Sequence, residues 1–129
     1  MTTTLFNRIL TTTALAVAIL TSPVVVARSA SCPLDQSINV RDLPKQGRDT
    51  LALIESGGPF SSERDGITFN NRERILPRQQ RGFYREYTVR TPGVRSRGAR
   101  RIVCGGDQRA ADQCYYTKDH YKSFKCIAR

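Results

Sequence analysis

The chain has 129 residues, a length that predicts one domain without a second domain or an interdomain linker. Its 21 Lys and Arg residues outnumber its 11 Asp and Glu residues, giving a formal net charge of +10 at pH 7. Such a charge attracts polyanions, among them nucleic acid, an anionic membrane and a cell wall. A soluble basic protein without any such partner can have the same composition, so the net charge alone does not identify a partner.

The N-terminus has the order of segments found in a cleaved secretory signal peptide. Arg8 supplies the positive segment, residues 14–26 are mainly apolar, and small residues predominate at positions 27–30. We therefore predict a signal peptide over residues 1–30, cleaved between Ala27 and Ala30, and secretion of a domain of residues 31–129.

A membrane anchor is not expected. The apolar segment is shorter than the roughly 20 apolar residues of an ordinary membrane span. The residues before Cys32, Arg28-Ser29-Ala30-Ser31, are also a poor match to a lipoprotein signal.

All four cysteines follow the predicted signal peptide, at Cys32, Cys104, Cys114 and Cys126. An even number of cysteines in an exported chain indicates two disulfides, for which three pairings exist. We favour Cys32–Cys126, which joins the two ends of the domain, and Cys104–Cys114, which closes a short loop. The alternative is a buried free thiol at Cys104. A zinc site is disfavoured because the chain has one histidine and no Cys-x-x-Cys pair.

The first predicted element of the domain is a helix. Pro44 suits a helix start, and Gly57-Gly58-Pro59 ends it, since glycine is favoured just past a C-terminus and proline does not continue a helix. Between them, Leu51 and Ile54 can share one buried face.

Short strands and turns follow the helix. Aromatic and β-branched residues bounded by glycine, proline and aspartate predict extended segments, which we place at residues 67–69, 83–89, 101–104, 115–117 and 121–127. One helix followed by consecutive short strands predicts an α+β domain, with one N-terminal helix packed on an antiparallel β-sheet.

Strand alternation singles out Glu86 as a candidate functional residue. It places Glu86 on the face opposite Phe83, Tyr87 and Val89, away from the obviously apolar side. The alternative is an exposed carboxylate paired with one of the many arginines.

Three arginines, Arg97, Arg100 and Arg101, lie on or next to the following strand, where Arg101 shares a face with Val103. The guanidinium fork matches the oxygens of a phosphate, although arginines of a basic protein are usually solvated. His120 is the only histidine, so any acid–base chemistry that needs an imidazole depends on it. A surface or packing histidine is the alternative.

A series of motifs between Leu43 and Ile127 then decides among these interpretations. They are Asp49-Thr50-Leu51, Gly58-Pro59-Phe60, Asp65-Gly66, Phe69-Asn70-Asn71-Arg72-Glu73, Leu76-Pro77, Tyr84-Arg85-Glu86-Tyr87-Thr88-Val89, Thr91-Pro92-Gly93, Arg97-Gly98, Arg100-Arg101-Ile102, Tyr115-Tyr116-Thr117 and Asp119-His120-Tyr121. In this order the chain resembles the microbial guanyl-specific ribonucleases, the family of barnase and binase, and most closely its secreted actinobacterial branch. The resemblance implies the microbial ribonuclease fold.

The resemblance also implies an enzyme that cleaves single-stranded RNA 3′ of guanosine. A 2′,3′-cyclic phosphate forms first and is then hydrolysed to a 3′-phosphate. By position, Glu86 matches the general base and His120 the general acid. Arg97 and Arg101 match the arginines that hold the phosphate, and Tyr121 matches the tyrosine beside it.

The guanine site of the family corresponds to Phe69, Asn70, Asn71, Arg72 and Glu73. A carboxylate at Glu73 can accept from guanine N1 and N2, and backbone amides near Asn71 and Arg72 can donate to O6. Stacking of a base on an aromatic ring such as Phe69 is worth about 1–3 kcal/mol. Without the resemblance, a polar loop after a strand would be the simpler interpretation.

The resemblance implies no metal and no other cofactor, a monomer, and a barstar-like intracellular inhibitor that protects the producing cell. The segment from Gly105 to Cys114 is longer than expected for the closest branch, and Cys32 lies further upstream, which puts the disulfide pairing in question. Two rivals remain. One is a cationic, disulfide-stapled protein that binds nucleic acid or membranes without catalysis, and the other is an inactive ribonuclease fold that serves as a binder.

Overall fold

The computed structural model describes residues 20, 22–23 and 32–129, so nearly all of the predicted signal peptide lies outside the described residues. The described part forms one α-helix, a single 3-10 turn at Val40–Asp42 and six strands. No helix in this part of the chain is long and apolar enough to cross a membrane.

Helix α1 spans Lys45–Ser56, as the sequence predicts. Pro44 immediately precedes its first turn. At the other end Gly57 has a φ of 83°, the left-handed conformation that favours glycine, and its N–H reaches the carbonyl oxygen of Ile54 at 3.2 Å. Leu51 and Ile54 are buried against the sheet.

All six strands belong to one sheet with the order β1-β6-β5-β4-β3-β2. Neighbouring strands are antiparallel except β1 and β6, which are parallel. The predicted α+β class is therefore confirmed, with a mostly antiparallel sheet. The strands are β1 (Ser37–Asn39), β2 (Ile67–Thr68), β3 (Tyr84–Thr88), β4 (Arg101–Gly105), β5 (Cys114–Thr117) and β6 (Lys125–Ala128).

The structure corrects the prediction at two strands. Strand β1 was not predicted, because its three residues are too few to show a pattern. The prediction of one strand over residues 121–127 was too long, because β6 begins only at Lys125. The preceding His120 and Tyr121 have φ values of 55° and 71°, a left-handed conformation that a strand does not accommodate.

The two faces of the sheet have different surroundings. One face packs on α1, through a cluster that contains Leu51, Ile54, Tyr87, Val89, Ile102 and Cys104. On the other face β3 and β4 place Glu86 opposite Val103 and Thr88 opposite Arg101. Glu86 thus lies on the face predicted by alternation, remote from the helix.

Both disulfides join the pairs that we favoured. Cys32–Cys126 ties the start of the described domain to β6 across 94 residues, and Cys104–Cys114 joins β4 to β5 across 10 residues. By the loop-entropy model the longer link contributes roughly 4–5 kcal/mol to stability.

Candidate active site

Glu86 lies in the middle of β3 with both carboxylate oxygens engaged. A guanidinium NH2 of Arg97 donates to Oε1 at 3.1 Å, and the hydroxyl of Tyr121 donates to Oε2 at 2.7 Å. The Glu86 side chain is only 10% exposed. The alternative of an exposed carboxylate paired with an arginine is therefore wrong about the exposure, although the pairing with an arginine is present.

Arg97 is itself held from two sides. Its Nε donates to the hydroxyl of Thr88 at 2.7 Å, and its NH2 lies 3.9 Å from the carboxylate of Asp65. Asp65 in turn accepts from the backbone N–H of Thr88 at 2.7 Å. The end of β3, the turn at Asp65 and the guanidinium group of Arg97 thus form one hydrogen-bonded unit beside Glu86.

Arg101 is almost fully buried, with 2% of its surface exposed. Its NH1 donates to the carbonyl oxygens of Gly98 at 2.9 Å and Arg100 at 2.7 Å, and its guanidinium carbon lies 5.9 Å from the ring centre of Tyr121. Its Nε has no hydrogen-bond partner among the described residues. A buried positive charge with an unused donor favours a bound anion nearby.

His120 follows β5 on an exposed turn. Its backbone N–H donates to the carbonyl oxygen of Ala99 at 2.9 Å, and its ring centre lies 4.9 Å from that of Tyr121. A left-handed backbone at a residue other than glycine persists only where its surroundings hold it. The turn must therefore be fixed by neighbouring contacts.

Asp119 provides those contacts. One carboxylate oxygen accepts from the hydroxyl of Thr117 and from the backbone N–H of Ser123, each at 2.9 Å, and the other accepts from the Ser123 hydroxyl. The backbone N–H of Tyr121 reaches the Thr117 hydroxyl at 3.1 Å. Burial acts to raise the pKa of Asp119, but the hydrogen bonds from Ser123 and Thr117 outweigh it and hold the pKa below its usual value.

These contacts lead to a prediction for the variant Asp119→Asn. It loses at least one of the bonds that hold the turn, so kcat/KM should fall about tenfold through misplacement of His120. A carboxyl with a lowered folded-state pKa stabilises the fold above its ordinary pKa, and this contribution disappears as the pH falls through the folded-state value. Denaturant unfolding should therefore separate wild type from variant at pH 7 and much less at pH 2.

The control is Asp112→Asn, which removes an exposed carboxylate with no ion pair in the described part of the chain. It should leave both kcat/KM and the pH dependence unchanged. An Asp119→Asn enzyme with wild-type kinetics would show that this carboxylate does not position His120.

The segment 69–73 lies beside these residues. The ring of Phe69 stacks on Tyr121, with 5.1 Å between ring centres and 28° between planes. Asn71 has a left-handed φ of 49°, and its side-chain amide closes the loop by bonding the backbone N–H and carbonyl of Leu76 at 3.2 and 2.9 Å. The side chain of Asn71 is thus committed to the shape of the loop. Arg72 and Glu73 remain exposed.

A cleft of 740 Å³ brings most of the predicted site residues together. Arg97 and Arg101 do not line it; each instead contacts a residue that does, Glu86 or Tyr121. The predicted site residues that line it are Phe69, Asn70, Asn71, Arg72, Glu73, Glu86, His120 and Tyr121, and Arg64 and Lys122 are also present.

Sequence reasoning missed three residues that support the site, namely Asp119, Asp65 and Thr88. All three occur in motifs quoted above, but nothing in the sequence alone shows what their side chains bond. A carboxylate beside the only histidine, and an Asp-Gly turn before a strand, were the available signals.

A carboxylate held by a positive charge, an imidazole and a set of basic residues around one open cleft can move protons on a bound anionic substrate. Basic residues around such a site suit a phosphodiester substrate, as in a nucleic acid. Comparison with known proteins agrees, since the family model described as ribonuclease matches residues 26–128. The chain belongs to the ribonuclease family.

Individual relatives give the same result. The chain is 53% identical over 85 residues to guanyl-specific ribonuclease Sa of Kitasatospora aureofaciens, which spans 66% of this chain and 85% of that protein. It is 47% identical over 90 residues to guanyl-specific ribonuclease St of Saccharopolyspora erythraea, which spans 70% and 85%. Among solved structures, ribonuclease Sa2 in complexes with mononucleotides matches with a TM-score of 0.70 and 43% identity, over 75% of this chain and 97% of that one.

Proposed function

We propose that this protein is a secreted endoribonuclease that cleaves single-stranded RNA on the 3′ side of guanosine without a metal ion. The observation that carries the proposal is the placement of Glu86 and His120 in one cleft with the segment 69–73. The guanyl-specific activity of ribonucleases Sa and St supports it.

The first step is an in-line attack of the ribose 2′-oxygen on the adjacent phosphorus. Glu86 takes the 2′-hydroxyl proton as the new O–P bond forms. The P–O5′ bond breaks, and His120 gives a proton to the departing 5′-oxygen. The 2′,3′-cyclic phosphate is then opened by water with the two roles reversed, which leaves a 3′-phosphate.

The surroundings of Glu86 suit a base. Each of its oxygens accepts one hydrogen bond, from Arg97 or Tyr121, and each keeps a second lone pair for a substrate proton. Burial, together with the hydrogen bond and the charge of Glu86, raises the pKa of Tyr121. The phenol therefore stays protonated near neutral pH and remains a donor to Glu86.

Positive charge next to the cleft opposes the negative charge that develops on the phosphate oxygens. Arg97 and Arg101 are fixed by hydrogen bonds before substrate arrives, so little reorganisation is needed during the reaction. We assign both arginines to the electrostatic stabilisation of the phosphate. They do not line the cleft themselves but contact residues that do, Arg97 through Glu86 and Arg101 through Tyr121.

Guanine is selected by the segment 69–73. In this proposal the exposed carboxylate of Glu73 accepts from guanine N1–H and N2–H, and the backbone amides of Asn71 and Arg72, at a turn where Asn71 has a left-handed φ, donate to O6. Asn70 and the Phe69–Tyr121 stack complete the walls of the base site.

The variant Glu73→Gln tests this assignment. Hydrogen bonds to a charged group are worth about 1.5–3 kcal/mol, so kcat/KM on guanosine substrates should fall about 10- to 150-fold. Inosine lacks the N2 amino group, so the wild-type preference for guanosine over inosine should shrink in the variant. Glu63→Gln, which removes a carboxylate outside the cleft, should keep the full preference. An unchanged guanosine-to-inosine ratio in Glu73→Gln would contradict the assignment.

The cleavage chemistry itself is tested with one RNA oligonucleotide that contains a single guanosine, and with the same oligonucleotide carrying 2′-deoxyguanosine there. Because the 2′-hydroxyl is the nucleophile, only the first should be cut. Cutting of both would overturn the mechanism. Binding of both without any cutting would favour the rival, a cationic protein that binds nucleic acid without catalysis.

The cell that makes such an enzyme needs protection before export. We infer a signal peptide over residues 1–30, a monomeric secreted enzyme, and a small acidic, barstar-like inhibitor that covers the basic cleft in the producing cell. The inactive variant His120→Gln should capture this inhibitor from producer cytosol. Failure to capture any acidic protein that blocks the wild-type enzyme would refute the inference.

A further inference from the structure

A second, smaller depression of 290 Å³ lies next to the catalytic cleft, along the segment 69–71. Phe69, Asn70 and Asn71 line both depressions, so the two adjoin along this segment. The second depression also carries Arg74, Arg78 and Arg81, and no acidic residue lines it. We call it the arginine pocket.

The charges of the arginine pocket are available to a ligand. Arg74, Arg78 and Arg81 are all exposed. Among the described residues, none of their guanidinium groups forms an ion pair or a side-chain hydrogen bond, in contrast to Arg97, which is bound to Glu86 and Thr88. Three unneutralised guanidinium groups around one depression attract an anion with several oxygens.

The frame of the pocket is fixed without a ligand. The amide of Asn71 bonds Leu76, and the Tyr84 hydroxyl donates to the carbonyl oxygen of Pro77 at 2.6 Å. A turn closed by the bond from Phe83 N–H to the Gln80 carbonyl, 3.1 Å long, presents Arg81 at its tip. Burial raises the pKa of Tyr84 to about 12, so this phenol adds no negative charge to the pocket.

We propose that the arginine pocket is a second substrate site, which binds a backbone phosphate of RNA while a guanosine of the same strand occupies the cleft. The proposal rests on the proposed function and extends it from one nucleotide to a strand of several. A phosphodiester fits because it offers two anionic oxygens to the donor fork of an arginine. Because residues 69–71 line both depressions, the two sites lie side by side, so that one RNA strand can occupy both.

The test compares two double variants that remove the same charge. The variant Arg78→Gln/Arg81→Gln removes two of the guanidinium groups that line the arginine pocket. The control, Arg41→Gln/Arg90→Gln, removes two exposed arginines that line neither depression. The ligand is a nine-nucleotide RNA with one central 2′-deoxyguanosine, which the enzyme binds without cutting. Fluorescence anisotropy gives the affinity at several salt concentrations.

We expect the Arg78/Arg81 variant to bind at least about tenfold more weakly than the Arg41/Arg90 variant. Each single-strand phosphate contact contributes a slope of about 0.7 in log K against log salt, so loss of the one phosphate contact in the arginine pocket should make the slope shallower by about 0.7. The dinucleotide GpC has a single phosphate, which the cleft holds for cleavage, so none is left for the arginine pocket and both variants should cleave GpC with the same kcat/KM.

Equal losses of affinity in the two variants would overturn the proposal, because only net charge would then matter. A selective loss of GpC cleavage in the Arg78/Arg81 variant would also overturn it, because these arginines would then act inside the cleft. If the wild-type enzyme fails to cleave GpC, the proposed function fails, while the anisotropy comparison still decides whether the pocket binds RNA.

Discussion

Replacing Glu86 with glutamine is expected to lower kcat for cleavage of a guanosine-containing RNA by two to four orders of magnitude. Glutamine keeps the shape and one acceptor oxygen but does not take a proton from the 2′-hydroxyl, and general base catalysis contributes about 10²–10⁴-fold. KM should change little, because the Glu86 carboxylate acts on the 2′-hydroxyl proton and does not contact the guanine. Steady-state kinetics on a single-guanosine oligonucleotide measures both.

The stability of this variant has to be measured together with its kinetics. Loss of the carboxylate leaves Arg97 with a weaker partner, which should cost about 1–3 kcal/mol. That is small against the typical 5–15 kcal/mol of a folded domain, so the protein should remain folded. Glu55→Gln is the matched control, because Glu55 also pairs with an arginine, Arg129, at a distance from the cleft. Full activity of Glu86→Gln would exclude Glu86 as the base.

Replacing His120 with glutamine should also lower kcat by two to four orders of magnitude on RNA, because the departing 5′-alkoxide is then left without an acid. The exposed position of His120 means that the free energy of unfolding should change by less than about 0.5 kcal/mol. Kinetics and denaturant unfolding of the same preparation test both expectations.

A change of leaving group separates the role of His120 from that of Glu86. Guanosine 3′-(4-nitrophenyl phosphate) releases a weakly basic phenolate that leaves without protonation. His120→Gln should regain most of its activity on this substrate, whereas Glu86→Gln should stay impaired because the 2′-hydroxyl must still be deprotonated. Equal impairment of His120→Gln on both substrates would argue against a general acid at this position.

Local sequence signals were sufficient for much of the fold. Pro44 and Gly57 bracket α1 because proline and glycine have restricted or special backbone conformations, which operate at any position in a fold. Alternation placed Glu86 on the correct face because side chains of a strand alternate strictly. These effects involve only neighbouring residues, so a sequence shows them directly.

The remaining features depend on contacts between distant residues. Strand β1 exists because it pairs with β6, which lies almost 90 residues further along the chain. The left-handed turn at His120 exists because Asp119 bonds Thr117 and Ser123, and without those bonds the aromatic segment that follows resembles a strand. Propensity alone does not reveal such contacts.

The active site shows the same difference between what the sequence indicates and what depends on contacts between distant residues. The resemblance to a family selected Glu86, His120 and the segment 69–73, and the structure gathers them in one cleft. It did not indicate that Arg97 and Arg101 stand behind the cleft lining, or that Glu86 is nearly buried. Those properties follow from the pairing of β3 with β4 and from the turn that carries Tyr121.

The most direct test of the central claim is analysis of the products of an RNA oligonucleotide with a single guanosine, incubated with the enzyme in EDTA and sampled over time by mass spectrometry. The account predicts one cut, immediately 3′ of the guanosine, with a 2′,3′-cyclic phosphate that appears first and converts slowly to a 3′-phosphate. Cleavage at other bases, a requirement for added metal, or a 3′-phosphate formed without the cyclic species would contradict it.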